Sequence, residues 1–318
     1  MGASSVDLNR PWMVAAWPGM GGVAIGACYY LMAKLKMTQI AEFPSRELFD
    51  IDHIDVEGGL IQPVRLPRNR FFSWADPNGA HDLVVFLGEA QPPAGKRPFC
   101  QKVIDHAVSL GVEKVFTFAA MATEMHPGHE ARVFGAAIDR ETLLDLERLE
   151  VHVLTEGRIS GLNGVLLAVA GDEGLPGGCL LGEMPQLFSR IPFPKASLAV
   201  LDAFAAMARI DLDLSELAAQ ARRTERELGQ LLARIEEAIT DRQGRASPPE
   251  DEEAWKSEAG EKPEPRRETG LSDEDHHRIE SLFKRAANDR SKAYELKAEL
   301  DRLDVFHRYE DRFLELFR

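Results

Sequence analysis

The sequence predicts an α/β fold: a mostly parallel central sheet between helical layers, followed by a helical extension. Three observations predict it. The apolar run Asp82-Leu83-Val84-Val85-Phe86-Leu87 is continuous rather than alternating, as expected of a strand buried on both faces. Runs of that kind alternate with stretches of helical spacing over the first two hundred residues. Composition then changes near Ile210: glycines crowd the first part, and roughly half of all charged side chains fall in the last third.

In order along the chain, residues 12–17 read as a strand and 23–36 as a helix. Residues 38–43 read as a second strand, and 60–66 and 71–74 as a β-rich excursion. The 82–87 strand leads to a helix over 99–110, ended by Gly111. A strand over 114–119, a helix over 140–149 and a strand over 151–155 follow. Residues 165–170 and 194–209 read as helices. This first unit is expected to span 1–212.

Beyond it, 213–240 reads as one helix, with Leu217, Ala221, Leu228, Leu231, Ile235 and Ile239 at helical spacing and Ser215 as its N-cap. Residues 241–270, rich in Pro, Glu, Gly, Ser and Lys, read as a flexible acidic linker. Over 271–318 the spacing predicts amphipathic helices that begin at Ser272, with Asp275 three residues on. Their stripe runs from Ile279 through Phe283, Leu296, Leu300 and Phe306 to Phe313 and Leu316. Its expected partner is the 215–239 helix, or the same element of another subunit in coiled-coil fashion.

A net charge of -14 speaks against nucleic acid and against an anionic membrane surface as partners. The three cysteines, Cys28, Cys100 and Cys179, are odd in number and never in a CxxC pair. That pattern reads as a reducing, cytoplasmic compartment with no zinc site. The apolar stretch 11–32 is broken by Pro18 and glycines, and does not read as a membrane span.

Candidate sites lie where strands are expected to leave the sheet. Gly88-Glu89-Ala90-Gln91-Pro92 puts a carboxylate and an amide at such an exit, where open α/β folds place ligands. Glu89 and Gln91 can position a ligand or a partner's backbone; the plainer reading is a polar loop satisfying local amides. Trp17-Pro18-Gly19-Met20-Gly21-Gly22 follows a strand and precedes a helix, and Gly19-x-Gly21-x-x-Ala24 matches a loose dinucleotide fingerprint with Glu42 near the acidic position. Against it stand Pro18 inside the turn and the ordinary need for glycine in a tight turn. In parallel strands the two loops emerge on one side of the sheet.

His126 and His129 have metal-ligand spacing, but Pro127 and Gly128 argue for a surface loop; no metal and no cofactor is expected. No Gly-x-Ser-x-Gly elbow is present, and Cys100, expected to open a helix, reads as core. The final Leu316-Phe317-Arg318 fits a hydrophobic–aromatic–any tail able to enter a pocket, although Phe313 and Leu316 also continue the helical stripe.

Several of these stretches together resemble the proteasome assembly chaperone 2 family in its bacterial and archaeal branch. They are Trp17-Pro18-Gly19-Met20-Gly21, Gly88-Glu89-Ala90-Gln91-Pro92, Gly157-Arg158-Ile159-Ser160-Gly161-Leu162-Asn163-Gly164, Cys179-Leu180-Leu181-Gly182-Glu183-Met184-Pro185 and Pro192-Phe193-Pro194-Lys195-Ala196. The resemblance covers about two thirds of the chain. It implies a three-layer α/β/α core of the phosphorylase/hydrolase type. It also implies an oligomer, a trimer first, that binds protein partners such as proteasome subunits. Phe317 replaces the tyrosine of the archaeal tail pattern. With no complete catalytic set, the expectation is a non-enzymatic scaffold or chaperone-like protein. The alternative is a binder, or an enzyme, for nucleoside-like or phosphorylated ligands held between the 19–22 and 88–92 loops.

Overall fold

In the computed structural model, residues 7–43, 49, 54, 56–62, 66–244 and 271–318 are described. Ten strands alternate with nine helices among them: β1 (Trp12–Ala16), α1 (Val23–Lys34), β2 (Thr38–Phe43), β3 (Val56–Glu57), β4 (Leu60–Ile61), β5 (Asn69–Trp74), β6 (Leu83–Gly88), α2 (Lys96–Ser109), β7 (Lys114–Thr123), β8 (Val133–Ala137), α3 (Arg140–Arg148), β9 (His152–Val153), α4 (Gly161–Asp172), β10 (Gly177–Pro185), α5 (Pro194–Ala208), α6 (Ser215–Gly244), α7 (Asp273–Asn288), α8 (Ala293–Arg302) and α9 (Phe306–Glu315). Eight strands form one sheet in the order β2-β5-β6-β1-β7-β10-β8-β9. The central four, β6-β1-β7-β10, are parallel. β5 and β2 on one side, and β8 on the other, pair antiparallel.

The apolar runs do what the two-faced reading requires. Along β1, Val14 and Ala16 face the layer of α1 and α5, while Met13 and Ala15 face α2 and α4. β6 divides likewise, Val85 and Leu87 against Val84 and Phe86. Each buried Val, Leu or Phe contributes about 1.5–3 kcal/mol by leaving water. Both faces of the sheet are therefore anchored by the same short strands.

Two strands of the eight-stranded sheet escaped the sequence pattern. β10 is buried at all nine positions yet begins Gly177-Gly178, because it runs between two neighbours at close range. A Cβ at Gly177 would lie 1.8 Å from the Val115 carbonyl oxygen, and at Gly178 2.5 Å from that of Ala136. β8 carries Gly135 for the same reason, its Cβ position being 2.8 Å from Val151. Glycine density normally argues against a strand; here it permits one. In the excursion, β4 covers only Leu60–Ile61, and 63–65 lie outside the described residues.

The second unit also differs from expectation. α6 continues through Gly244, past the expected helix end at 240; the rest of the expected linker, 245–270, lies outside the described residues. Ser215 is the first helical residue rather than the cap, and its amide donates to Asp213 Oδ1 at 2.9 Å. Ser272 does cap α7, accepting from Asp275 N at 3.1 Å. The apolar stripe breaks into α7, α8 and α9, and its aromatic side faces α1 instead of α6. Tyr29 of α1 meets Phe306 and Phe313 edge-on at 5.3 and 5.4 Å, and Tyr30 meets Tyr294 at 4.5 Å. α1 carries Tyr29 and Tyr30, whose rings need cover; α8 and α9 supply it, and α7 packs on α8. Contact with α6 is limited and polar: Tyr294 Oη donates to Gln220.

Candidate functional site: the carboxyl edge of the parallel strands

β1 and β6 pair in parallel, Ala16 opposite Leu87, so the loops that follow them leave side by side. Trp17 lies directly over Gly88: a Cβ there would fall 2.3 Å from Trp17 Nε1. The two glycine-bearing loops are therefore neighbours, and glycine at 88 is what lets the indole sit down.

After Gly19 a 3-10 turn, Met20–Gly22, holds Gly21 and Gly22 at φ 58°, a left-handed conformation that glycine adopts without a Cβ clash. Gly21 packs under Met184, whose Sδ would be 2.6 Å from a Cβ at 21. Gly21 N donates to Ser189 O at 2.8 Å, and Gly22 N to Gly19 O at 3.1 Å. Both amides are thus used inside the protein, unlike those of an open phosphate cradle. Glu42, in the acidic position of that fingerprint, instead accepts Arg68 Nε at 2.7 Å, which holds its carboxyl below the usual range.

Glu89 is an anchor. Its Oε1 accepts from Arg70 Nη1 at 2.9 Å and its Oε2 from Arg68 N at 3.0 Å. Arg70 is 2% exposed, and its other terminal nitrogen reaches Asp311 of α9 at 2.8 Å. Arg68 Nη1 meets the same Asp311 oxygen at 3.1 Å. The carboxylate expected to face a ligand therefore ties the sheet to the last helix. Gln91 is a cap. Its Oε1 accepts from Leu162 N at 3.3 Å, where Ser160, the residue preceding α4, gives no side-chain bond. Gly161, at φ 73°, makes room: a Cβ there would lie 2.9 Å from Gln91 Oε1.

A second buried carboxylate lies further along the edge. Glu183 of β10 is 2% exposed and accepts Arg132 Nε at 2.8 Å, Arg132 Nη2 at 2.6 Å and Thr123 Oγ1 at 2.8 Å. The Arg132 fork holds its pKa down to about 2. Lys195 Nζ donates to Pro127 O and His129 O, both at 2.9 Å, and pairs with Glu225 of α6 at 2.8 Å. It pins the loop of His126 and His129, whose rings are 5.5 Å apart. Among the described residues no group of three His, Cys, Asp or Glu is placed to hold a metal.

What the edge offers outward is apolar. Met20 is 49% exposed, Leu187 63% and Ile191 37%. The Gly21–Ser189 hydrogen bond and Phe193 N donating to Gly21 O at 2.9 Å bring these three together. Beside them opens a cleft of about 710 Å³ floored by Met125, Leu187, Phe188 and Leu232, with Glu124, His126 and Glu236 also in its lining. Of the residues singled out from sequence, Gly19, Met20, Gly21, Gly88, Glu89 and Gln91 do gather at this edge. Leu187 and Ile191 were missed; the signal available was two large apolar residues set among Gln186, Ser189, Arg190 and Pro192 after the Cys179-to-Pro185 stretch.

Leu316 and Phe317 lie elsewhere. Phe317 is fully buried against Phe72 at 6.2 Å, and its carbonyl accepts Gln39 N of edge strand β2 at 2.6 Å. Arg290 donates to the Arg318 carbonyl oxygen. The tail is seated on its own chain, because the helical stripe carries Phe317 into the same apolar layer as Phe313. Cys100 lies within α2, buried, with burial pushing its thiol up to about 12, which suits a core residue. Among the described residues no helix is long and apolar enough to cross a membrane.

Comparison with known proteins fits this geometry. The chain is 26% identical to the Pyrococcus furiosus protein PbaB, an archaeal proteasome activator, with TM-score 0.61 over 71% of this chain and 95% of that one. PbaA of the same organism, an archaeal homolog of proteasome-assembly chaperone, is 25% identical with TM-score 0.55, over 74% and 97%. The Mycobacterium tuberculosis proteasome-assembly chaperone homologue Rv2125 shares the fold at 22% identity and TM-score 0.60, over 69% and 94%. An uncharacterized Methanocaldococcus jannaschii protein, MJ1210, is 25% identical over 254 residues, covering 77% of this chain and 92% of its own. The PAC2 family model matches residues 13–232, the whole α/β unit that builds the carboxyl edge together with the start of α6, and the chain belongs to the PAC2 family.

Proposed function

We propose that the protein is a non-enzymatic, chaperone-like scaffold of the cytoplasm that self-associates and docks protein partners of the proteasome-subunit kind on its carboxyl edge. One observation carries this reading. The polar groups placed for chemistry at that edge are spent on internal anchors, while Met20, Leu187 and Ile191 stand in water. Exposed large apolar side chains grouped beside a cleft mark a protein-binding surface. The relatives described as a proteasome activator and as assembly-chaperone homologues support the partner class.

The small-molecule alternative loses its two polar contacts. Glu89 already accepts from Arg70 and Arg68, and Gln91 from Leu162. A thermal-shift screen with nucleosides and nucleotides separates the readings at this edge, by comparing the chain with its Glu89→Gln variant. The scaffold reading expects no Glu89-dependent stabilisation; a ligand whose melting-temperature gain disappears in the variant would restore the alternative. Light scattering tests self-association, a trimer being the expected state. A clean monomer at micromolar concentration removes that part of the proposal.

A further inference from the structure

The opposite edge of the sheet holds a cleft of another character, with a volume of about 600 Å³. Its floor is Trp12, the first residue of β1. His81 stacks on the indole with ring centroids 4.3 Å apart and planes 16° from parallel, and Lys114 Nζ stands 5.0 Å from the ring centre. Arg10, Arg148 and Arg209 form the rim. Four cations thus converge in a chain whose net charge is -14.

Three of the four have carboxylate partners, and those partners are weakly held. Lys114 meets Glu141 at 3.2 Å, but Glu141 is 79% exposed. Arg10, largely in water, meets the partly exposed Glu113 at 3.2 Å, and Arg148 meets Asp145 at 3.0 Å while itself 74% exposed. Exposed pairs of this kind give up a partner at little cost. Among the described residues Arg209 has no carboxylate within 4 Å, and Glu141 and Asp145 are the only acids in the lining. Arg10 at φ 46° and Arg209 at φ 54° both hold left-handed backbone, where a side chain is disfavoured, and both line the cleft. His81 Nε2 is buried with no hydrogen-bond partner among the described residues. The indole already carries His81 and Lys114, so the cleft selects anionic groups rather than a stacked base.

We propose that this cleft binds a small phosphate-bearing polyanion, with Arg209 and Arg148 as its forked donors and Lys114 and Arg10 swinging from their exposed carboxylates to join them. The phosphate chain can come from free polyphosphate or from a nucleoside triphosphate.

The test is calorimetric titration of the full chain at low ionic strength with inorganic tripolyphosphate, and separately with a nucleoside triphosphate. Saturable one-site binding is expected, weakened at least about tenfold by Arg209→Glu and by Arg148→Glu. Both side chains lie at the surface, so either variant serves if the other fails to fold. Arg223→Glu on α6, 66% exposed and outside the lining, should bind as the parent does. Equal affinity for the two ligands assigns the free phosphate chain, and markedly tighter nucleoside triphosphate binding assigns the nucleotide. Absence of saturable heat at millimolar ligand overturns the proposal. So does unchanged affinity in both rim variants, or an equal loss in Arg223→Glu, which would mean diffuse charge attraction only.

Discussion

The two ends of the parallel strands share one sheet and have opposite surfaces. At the carboxyl edge the ionic groups are buried and interlocked: Arg70, Glu89 and Glu183 are at most one tenth exposed. At the amino edge the ion pairs are loose and wet. The difference teaches where this chain has used its polar side chains. A carboxylate at a strand exit is a site only if it is not already a strut, and here the struts hold the loops, α4 and the C-terminal helices in place.

The largest expected effect comes from Arg70. Arg70→Ala leaves Glu89 facing a buried gap and removes one of the two arginines that hold Asp311, Arg68 being the other. Removing one partner of a buried pair should cost about 3 kcal/mol in urea denaturation. A loss below about 1 kcal/mol would show the carboxyl edge to be as loose as the amino edge. Gly88→Ala follows. The added methyl must displace a buried indole, and overpacking of that kind costs about 1–3 kcal/mol, read as a lower denaturation midpoint.

Glu183 comes third and has a pH signature. Its folded pKa is depressed to about 2 from 4.5, so its contribution is present above the unfolded value and is lost as pH falls through that window. The parent should lose about 2 kcal/mol between those limits from this group, allowing for the half-exposed Arg132. Glu183→Gln should be destabilised at neutral pH and show a flatter stability profile below pH 4.5. A variant profile parallel to the parent's would contradict the assignment. Smallest are Met20→Glu and Leu187→Glu. Each replaces a side chain about half or more exposed and should move stability by no more than about 0.5 kcal/mol.

Much of the fold was legible because burial on both faces leaves a pattern that needs no context. The 12–17, 82–87 and 114–119 runs and the helices between them are where the sequence places them. β8 and β10 were not legible, because their glycines answer to close neighbours, backbone for Gly177 and Gly178 and the Val151 and Leu146 side chains for Gly135, distances no local pattern encodes. That the two loops share one edge was readable from parallel strand order, since both must leave on one side. Its chemistry was not. The partners that consume Glu89 are Arg70, nineteen residues upstream, and through Arg70 the distant Asp311. The fate of Leu316 and Phe317 likewise depended on which helix their stripe would meet, and the tyrosines of α1 outcompeted α6.

The central claim is that the apolar carboxyl edge is a protein-docking surface. Surface plasmon resonance of purified proteasome core particles over the immobilised chain, compared with the Met20→Glu/Leu187→Glu double variant, tests it most directly. The account predicts saturable binding by the parent and at least about tenfold weaker binding by a variant that is equally stable. Equal binding by the two proteins, or none by the parent at micromolar particle concentration, would contradict it.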